Sequence, residues 1–183
     1  MNIFFLSLDP RKAARLQCDK HVVKMILETA QLLCTAIRLL VADEDDIILG
    51  LWAKLYKATH KNHPMAVWVR ESEHNFLWTL SHGLELCAEY TRRYEKIHKT
   101  QAVLEAIQQY YKQCELAFPN TGNTKKPICM PIQYRFKGPS LEQDTVDSYW
   151  LYYAEEKAYM AKWNHGTEPK RWKQEIGKKR KRK

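Results

Sequence analysis

The stretch "CDKHVVKMILETAQLLC", residues 18–34, restricts the fold more than any other part of the chain. It contains neither glycine nor proline, and its apolar residues recur at helical spacing rather than in strand alternation. At 100° per residue, Val22, Val23, Ile26, Leu27, Ala30, Leu33, Cys34 and Ile37 share one broad face. Gln17, His21, Lys24, Glu28, Gln31 and Thr35 line the other, with Met25 and Leu32 set among them. A long helix this apolar needs further helices or sheet to cover it. Its second face raises a chemical question, because an imidazole, an amine and a carboxylate stand there in single file.

The rest of the chain supplies the cover. Residues 2–8 are a short apolar run, a strand or an extended segment threaded into the core. Asp9 and Pro10 read as an N-cap and first helical residue, opening a helix to about residue 41. The acidic "DEDD" at 43–46 ends it, and 47–58 form a short helix. "HKNHP" is a loop, and Pro64 opens a long helix to about residue 97. A further helix covers about 101–116, and the last runs from about 141 to 163. Between those two, "FPNTGNTKKPICMPIQYRFKGPS" is a loop broken by proline and glycine, long enough to suggest a functional role. The expectation is all-α: one domain of about five helices over 1–163, with a short extended N-terminal segment and a basic, flexible tail over 164–183.

Composition narrows the partners. Net charge is +9, of which the tail "KKRKRK" supplies six, leaving about +3 for the body. The tail is either a solvated, disordered terminus or a phosphate-binding arm, and on the second reading it suits a polyanionic partner. Six glycines and no GxGxxG or GxxxxGK pattern argue against a nucleotide-cradling loop. No run approaches the roughly 18 apolar residues of a membrane span. The start, "MNIFFLSLDP", lacks a basic leader, and the five cysteines are scattered without a CxxC. Those features suit reduced thiols in an intracellular protein, in host cytoplasm or, for a eukaryotic host, the nucleus. His60 with His63 and Cys18 with His21 have metal-like spacing, yet no second paired-cysteine motif supports them. No metal and no cofactor are assigned, and the chain is expected to be a monomer.

Three constellations carry candidate chemistry, each with a plainer structural alternative. His21, Lys24 and Glu28 form either a solvated face, with an i,i+4 pair worth a few tenths of a kcal/mol, or a proton-moving group set. In "HKNHPMAVWVRESEHNFLW", Trp68, Glu71, Asn75, Trp78 and His82 share a helical face. The two tryptophans either frame a slot for a flat base read by Asn75 or make an aromatic core stripe. Asn62, His63 and Arg70 in the same stretch are candidate DNA contacts. In "SYWLYYAEEKAYMAKW", Tyr149, Tyr153 and Lys157 recur every four residues. They suit base stacking beside phosphate contacts, or a helix packing its aromatic face inward.

The segment "DKHVVKMILE" resembles the first-helix motif of the phage endonuclease V, or pyrimidine-dimer DNA glycosylase, family. Its Asp-x-His and later glutamate fall here on Asp19, His21 and Glu28. The segment "YWLYYAEEKAY" is similar to that family's terminal tryptophan- and tyrosine-rich stretch. The resemblance implies a small helical domain that kinks DNA and attacks the sugar of a damaged pyrimidine. It makes Glu28 the catalytic carboxylate and His21 a group that helps hold the flipped or distorted substrate. The family's nucleophile is the α-amine of a threonine exposed when the initiator methionine is removed. Here residue 2 is Asn2, large enough to favour retention of Met1, and Lys24 becomes the substitute amine if desolvated. Two rivals stay open. One is a transferase that appends a free amino acid to activated 5-hydroxymethyluracil in DNA, and the other is a non-catalytic helical nucleic-acid-binding module.

Overall fold

Asp9 opens the first helix as its side chain predicts, with Oδ1 accepting from the N–H groups of Arg11 and Lys12 at 2.8 and 3.0 Å. The structure, a computed structural model, describes residues 1–41, 51–111, 116–138 and 140–182. Among them lie seven α-helices, one 3-10 turn and no strand: α1 (Pro10–Leu16), α2 (Asp19–Leu40), α3 (Pro64–Glu71), α4 (Glu73–Tyr94), α5 (Gln101–Tyr111), the 3-10 turn Ile132–Tyr134, α6 (Leu141–Glu156) and α7 (Lys170–Arg182). The expected all-α single domain is what forms. The acidic turn at 43–46 and the start of the helix expected at 47–58 lie outside the described residues; within 53–58 no helix continues.

Two expected helices are each split, and tertiary contacts explain both breaks. The helix expected from 10 to 41 is interrupted at Gln17 and Cys18, which are extended. The Cys18 N–H donates to the Tyr153 hydroxyl at 3.0 Å, and the Asp19 N–H to the Lys162 carbonyl at 2.8 Å. These partners replace the lost helical bonds. The helix expected from 64 to 97 breaks at Ser72, whose Oγ accepts from the Asn75 N–H at 3.2 Å and donates to the Gly122 carbonyl at 2.5 Å. Ser72 also forms an isolated bridge with Asn120. The last helix ends at Glu156 rather than near 163. Beyond it, the stretch expected to trail off contains α7, which buries Trp172 against Trp163 at 5.0 Å between rings.

α2 is the central element, packed on α3 and α4, while α1 also packs on α4 and α6 on α7. α2 and α4 approach tightly at Gly83, where a Cβ would meet Thr29 Cγ2 at 2.9 Å. The buried side of α2 differs from its apolar arc. Val23 and Leu27 are surface residues, whereas His21, Met25, Leu32 and Thr35 are buried. The cause is the N-terminal segment, which runs along what the periodicity marks as the polar side. Ile3, Phe4, Phe5 and Leu6 are all buried there without joining a sheet. Two indoles satisfy its carbonyls: Trp150 Nε1 donates to Leu6 O at 2.9 Å and Trp78 Nε1 to Leu8 O at 2.7 Å. No helix among the described residues is long and apolar enough to cross a membrane.

Candidate active site

The apolar run at residues 3–6 anchors the chain start, and this fixes residue 2 against α2. The Asn2 side chain is clamped at both ends. Its Oδ1 accepts from the Tyr149 hydroxyl at 3.1 Å and its Nδ2 donates to Cys129 O at 3.2 Å. Held in this way, the Asn2 backbone N–H donates to Glu28 Oε2 at 3.0 Å. The other Glu28 oxygen pairs with Lys24 Nζ at 3.1 Å. The Glu28 side chain is 15% exposed and that of Lys24 68%. The carboxylate is therefore sheltered, while the ammonium group sits at the mouth.

His63 closes another side. Its Nδ1 accepts from the Met65 N–H at 3.1 Å as the cap of α3, so this nitrogen carries no proton. Burial first, then the positive chain terminus and His60, lower its pKa, with Glu28 opposing them. The α-amino group and Glu28 are thus its electrostatic neighbours.

His21 lies one turn before Lys24 on α2, and its ring stacks on Phe4 at 4.4 Å and meets Tyr153 edge-on at 5.1 Å. Burial, with Lys157 and Lys24 adding repulsion, pushes its pKa down to about 3. At neutral pH it is an uncharged imidazole, and its buried Nδ1 has no hydrogen-bond partner. It lines a pocket of about 490 Å³ together with Lys20, Lys24, Lys157, Tyr94 and Tyr159. Lys157 Nζ also lies over the Tyr152 ring, 5.0 Å from its centre.

Other residues singled out in the sequence lie elsewhere. The tryptophan slot does not exist. Trp68 and Trp78 meet edge-on at 6.2 Å, and Phe5 fills the space beside them at 5.3 and 5.0 Å. Asn75 is fully buried, with Nδ2 donating to Trp68 O at 2.8 Å and Thr124 Oγ1 at 2.7 Å, so no amide edge faces a base. Tyr149 and Tyr153 are also fully buried, their hydroxyls bonded to Asn2 and to the Cys18 N–H. Neither offers a face on which a base can stack. They grip the chain start instead, with Phe4 edge-on to both at 6.0 and 5.4 Å.

Asp19 is likewise committed inward. Its Oδ1 accepts from Arg93 at 3.0 Å, and its Oδ2 accepts from the Asn164 and His165 N–H groups at 2.7 and 3.3 Å. Arg93, with its side chain wholly buried, also binds Glu89 at 2.6 Å. Asp19 thus ties the start of α2 to the end of α4. Asn62 is exposed and His63 half-buried beside the amine site, while the half-buried Arg70 donates to Lys61 O at 2.6 Å. Sequence reasoning missed the clamp on Asn2 by Tyr149 and Cys129. Its only trace was the apolar run after residue 2, which demands burial.

In this α-helical domain the residue-2 nitrogen rests against a sheltered carboxylate, and a pocket nearer the start of α2 carries a neutral imidazole and three lysines. The family model for pyrimidine dimer DNA glycosylase matches residues 1–103. The chain belongs to that family, so it is a DNA-repair enzyme of the glycosylase type with DNA as its substrate. No curated protein and no solved structure matches it. The match covers α1 to the start of α5; the loop at 116–138, α6 and α7 lie beyond it.

Proposed function

We propose that the protein excises a damaged pyrimidine from duplex DNA, with the α-amine of residue 2 as nucleophile and Glu28 as its base. The observation that carries this reading is the 3.0 Å contact between the Asn2 nitrogen and Glu28 Oε2. That nitrogen is an amide while Met1 is attached, so the reading requires removal of Met1 in spite of the size of Asn2. Removal turns the same atom into an amine within hydrogen-bond reach of a carboxylate, whereas the exposed Lys24 lacks the desolvation a substitute amine needs. The amine attacks the sugar C1′. The C1′–N bond breaks, its electron pair leaves with the pyrimidine, and Glu28 takes the proton from the attacking nitrogen. Opening of the sugar ring gives an imine. Loss of a proton from C2′ then expels the 3′ phosphate and cuts the strand.

The neutral His21 supports the reading as an uncharged hydrogen-bonding group for the sugar or base. Lys20, Lys24 and Lys157 supply phosphate contacts around it, with Asn62, His63 and Arg70 beyond the amine.

Borohydride trapping on a duplex carrying a pyrimidine dimer tests this, followed by mass spectrometry of the peptide bearing the adduct. An adduct on the N-terminal nitrogen of a chain beginning at Asn2 is expected. An adduct on Lys24 would assign the nucleophile there instead. A mass gain on the DNA base that depends on a free amino acid would replace excision with transfer.

A further inference from the structure

The loop between α5 and α6 leaves two large apolar side chains in solvent: Ile132 is 71% exposed and Phe136 48%. The loop is not loose. Both Nε and Nη2 of Arg135 donate to Met130 O at 2.9 and 2.7 Å, closing the 3-10 turn Ile132–Tyr134 beneath them. The Phe136 N–H donates to Ser148 Oγ on α6 at 2.8 Å. Tyr134 packs on Tyr152 at 5.5 Å between rings, and its hydroxyl bonds to the Glu156 carboxylate. Met130 is buried as an anchor. A loop bonded at this many points holds its apolar tips outward in the free protein, which is costly without a partner.

Charge names that partner. From Lys125 to Gly138 the chain carries four basic residues and no acidic one, and Lys125, Arg135 and Lys137 are exposed. A second copy of the same loop would be repelled, whereas a phosphate backbone is attracted. Position makes the loop relevant to the chemistry. Cys129 O accepts from the Asn2 side chain at 3.2 Å, and Ile132 is three residues further along. Its Cα is therefore within about 11 Å of the Cys129 Cα, roughly three base steps. Apolar side chains on a basic support at this distance suit insertion between base pairs.

We propose that Ile132 and Phe136 form a wedge that enters the base stack of duplex DNA beside the nucleotide presented to the residue-2 nitrogen. Its placement relative to the chemistry rests on the excision reading; the insertion itself does not. Opening the stack exposes the sugar face that the amine must reach, which an intact duplex covers.

The test is 2-aminopurine fluorescence in a duplex with the probe beside a thymine dimer, comparing wild type with the Ile132→Ala/Phe136→Ala variant. Wild type should brighten the probe about five-fold and the variant less than about two-fold. Processing of the dimer in duplex should fall at least about ten-fold in the variant. Borohydride trapping on a single-stranded abasic site has no stack to open, and should stay within about two-fold. Equal brightening by both proteins, no brightening by wild type, or loss of single-strand trapping alongside duplex processing would each overturn the wedge. So would a wild type that self-associates through this loop while the variant does not and fluorescence is unchanged. If wild type traps nothing on any substrate, the excision reading fails, and the fluorescence comparison still decides the wedge.

Discussion

The backbone nitrogen of Asn2 lies 3.0 Å from Glu28 Oε2, and the second oxygen of that carboxylate is held by Lys24 at 3.1 Å. One carboxylate thus joins the chain start to the charged file on α2. Glu28→Gln should abolish turnover, by about a thousand-fold or more, because the amide can neither take a proton nor carry a full negative charge. DNA affinity should hold or rise slightly, since a negative group is lost from a phosphate-facing site. Single-turnover cleavage and a binding titration, run side by side, check both. A merely structural Glu28–Lys24 pair would leave activity intact.

Lys24 separates two nucleophiles. Its side chain is 68% exposed, and the desolvation that would make a lysine a ready nucleophile is missing. Lys24→Met should keep the borohydride adduct while weakening DNA binding. The slope of log K against log salt should shrink by about 0.9, the share of one phosphate contact. Loss of the adduct with an unchanged slope would return the nucleophile to Lys24.

Asn75 distinguishes a base reader from a core residue. Asn75→Ala removes the donor to the Trp68 carbonyl and two bonds to Thr124, whose Oγ1 keeps only Glu71, costing about 1–3 kcal/mol. Urea midpoints should register that loss. Activity per folded molecule, measured well below the variant's melting range, should stay near wild type. Selective loss of discrimination between pyrimidine and purine lesions, without loss of stability, would show instead that Asn75 reads bases.

The all-helical class was legible because the apolar periodicity of residues 18–34 allows little else, and Asp9 with Pro10 marks a start in its own local chemistry. What was not legible depended on contacts distant in sequence. The break at Gln17 and Cys18 is held by Tyr153 and Lys162. The burial of His21 is imposed by Phe4. Periodicity on α2 showed which side is apolar, but not that the chain start would lie along the other. For the same reason, Tyr149 and Tyr153 could be noticed as a pattern but not placed. Their spacing is equally good for stacking on DNA and for gripping residues 2–6. The family motif singled out Glu28, but the clamp that brings residue 2 to it joins three separate parts of the chain.

Acid should unfold the protein through its neutral histidines. Burial lowers His21 to about 3, and lowers His82 to about 4 where Gln17 and Pro10 O enclose it. Both values lie below the unfolded value near 6.5, so the unfolded chain binds the extra protons. Stability from these groups is complete above about pH 6.5 and is lost as pH falls toward about 4 for His82 and about 3 for His21. From pH 7 to pH 5 the pair should remove on the order of 4 kcal/mol, readable as a shift in urea midpoint. His82→Gln should remove about half of that pH dependence. A midpoint that is flat over this range would mean that both imidazoles are charged in the fold.

The C-terminal helix is tied down at a point where the sequence suggests a free arm. Lys179 Nζ donates to Ala154 O at 3.2 Å and Glu155 O at 3.0 Å, and pairs with the Glu155 carboxylate at 3.1 Å. Lys178 pairs with Glu175 at 2.9 Å. Lys179 therefore satisfies carbonyls at the end of α6, the helix whose Tyr149 clamps Asn2. Deleting residues 178–183 should have two separable effects. The salt dependence of DNA binding should flatten by no more than about 4.5, five phosphate contacts' worth, because Lys179 is already engaged while the exposed Lys178, like Lys24, still reaches a phosphate. Stability should also fall by about 1–2 kcal/mol from the lost charge-assisted bonds to backbone carbonyls. Lys179→Ala alone should reproduce most of the stability loss with little change in slope. A truncated protein that melts like wild type but loses a slope of about 5.4 would mean that all six charges serve DNA and that Lys179 does not hold α6.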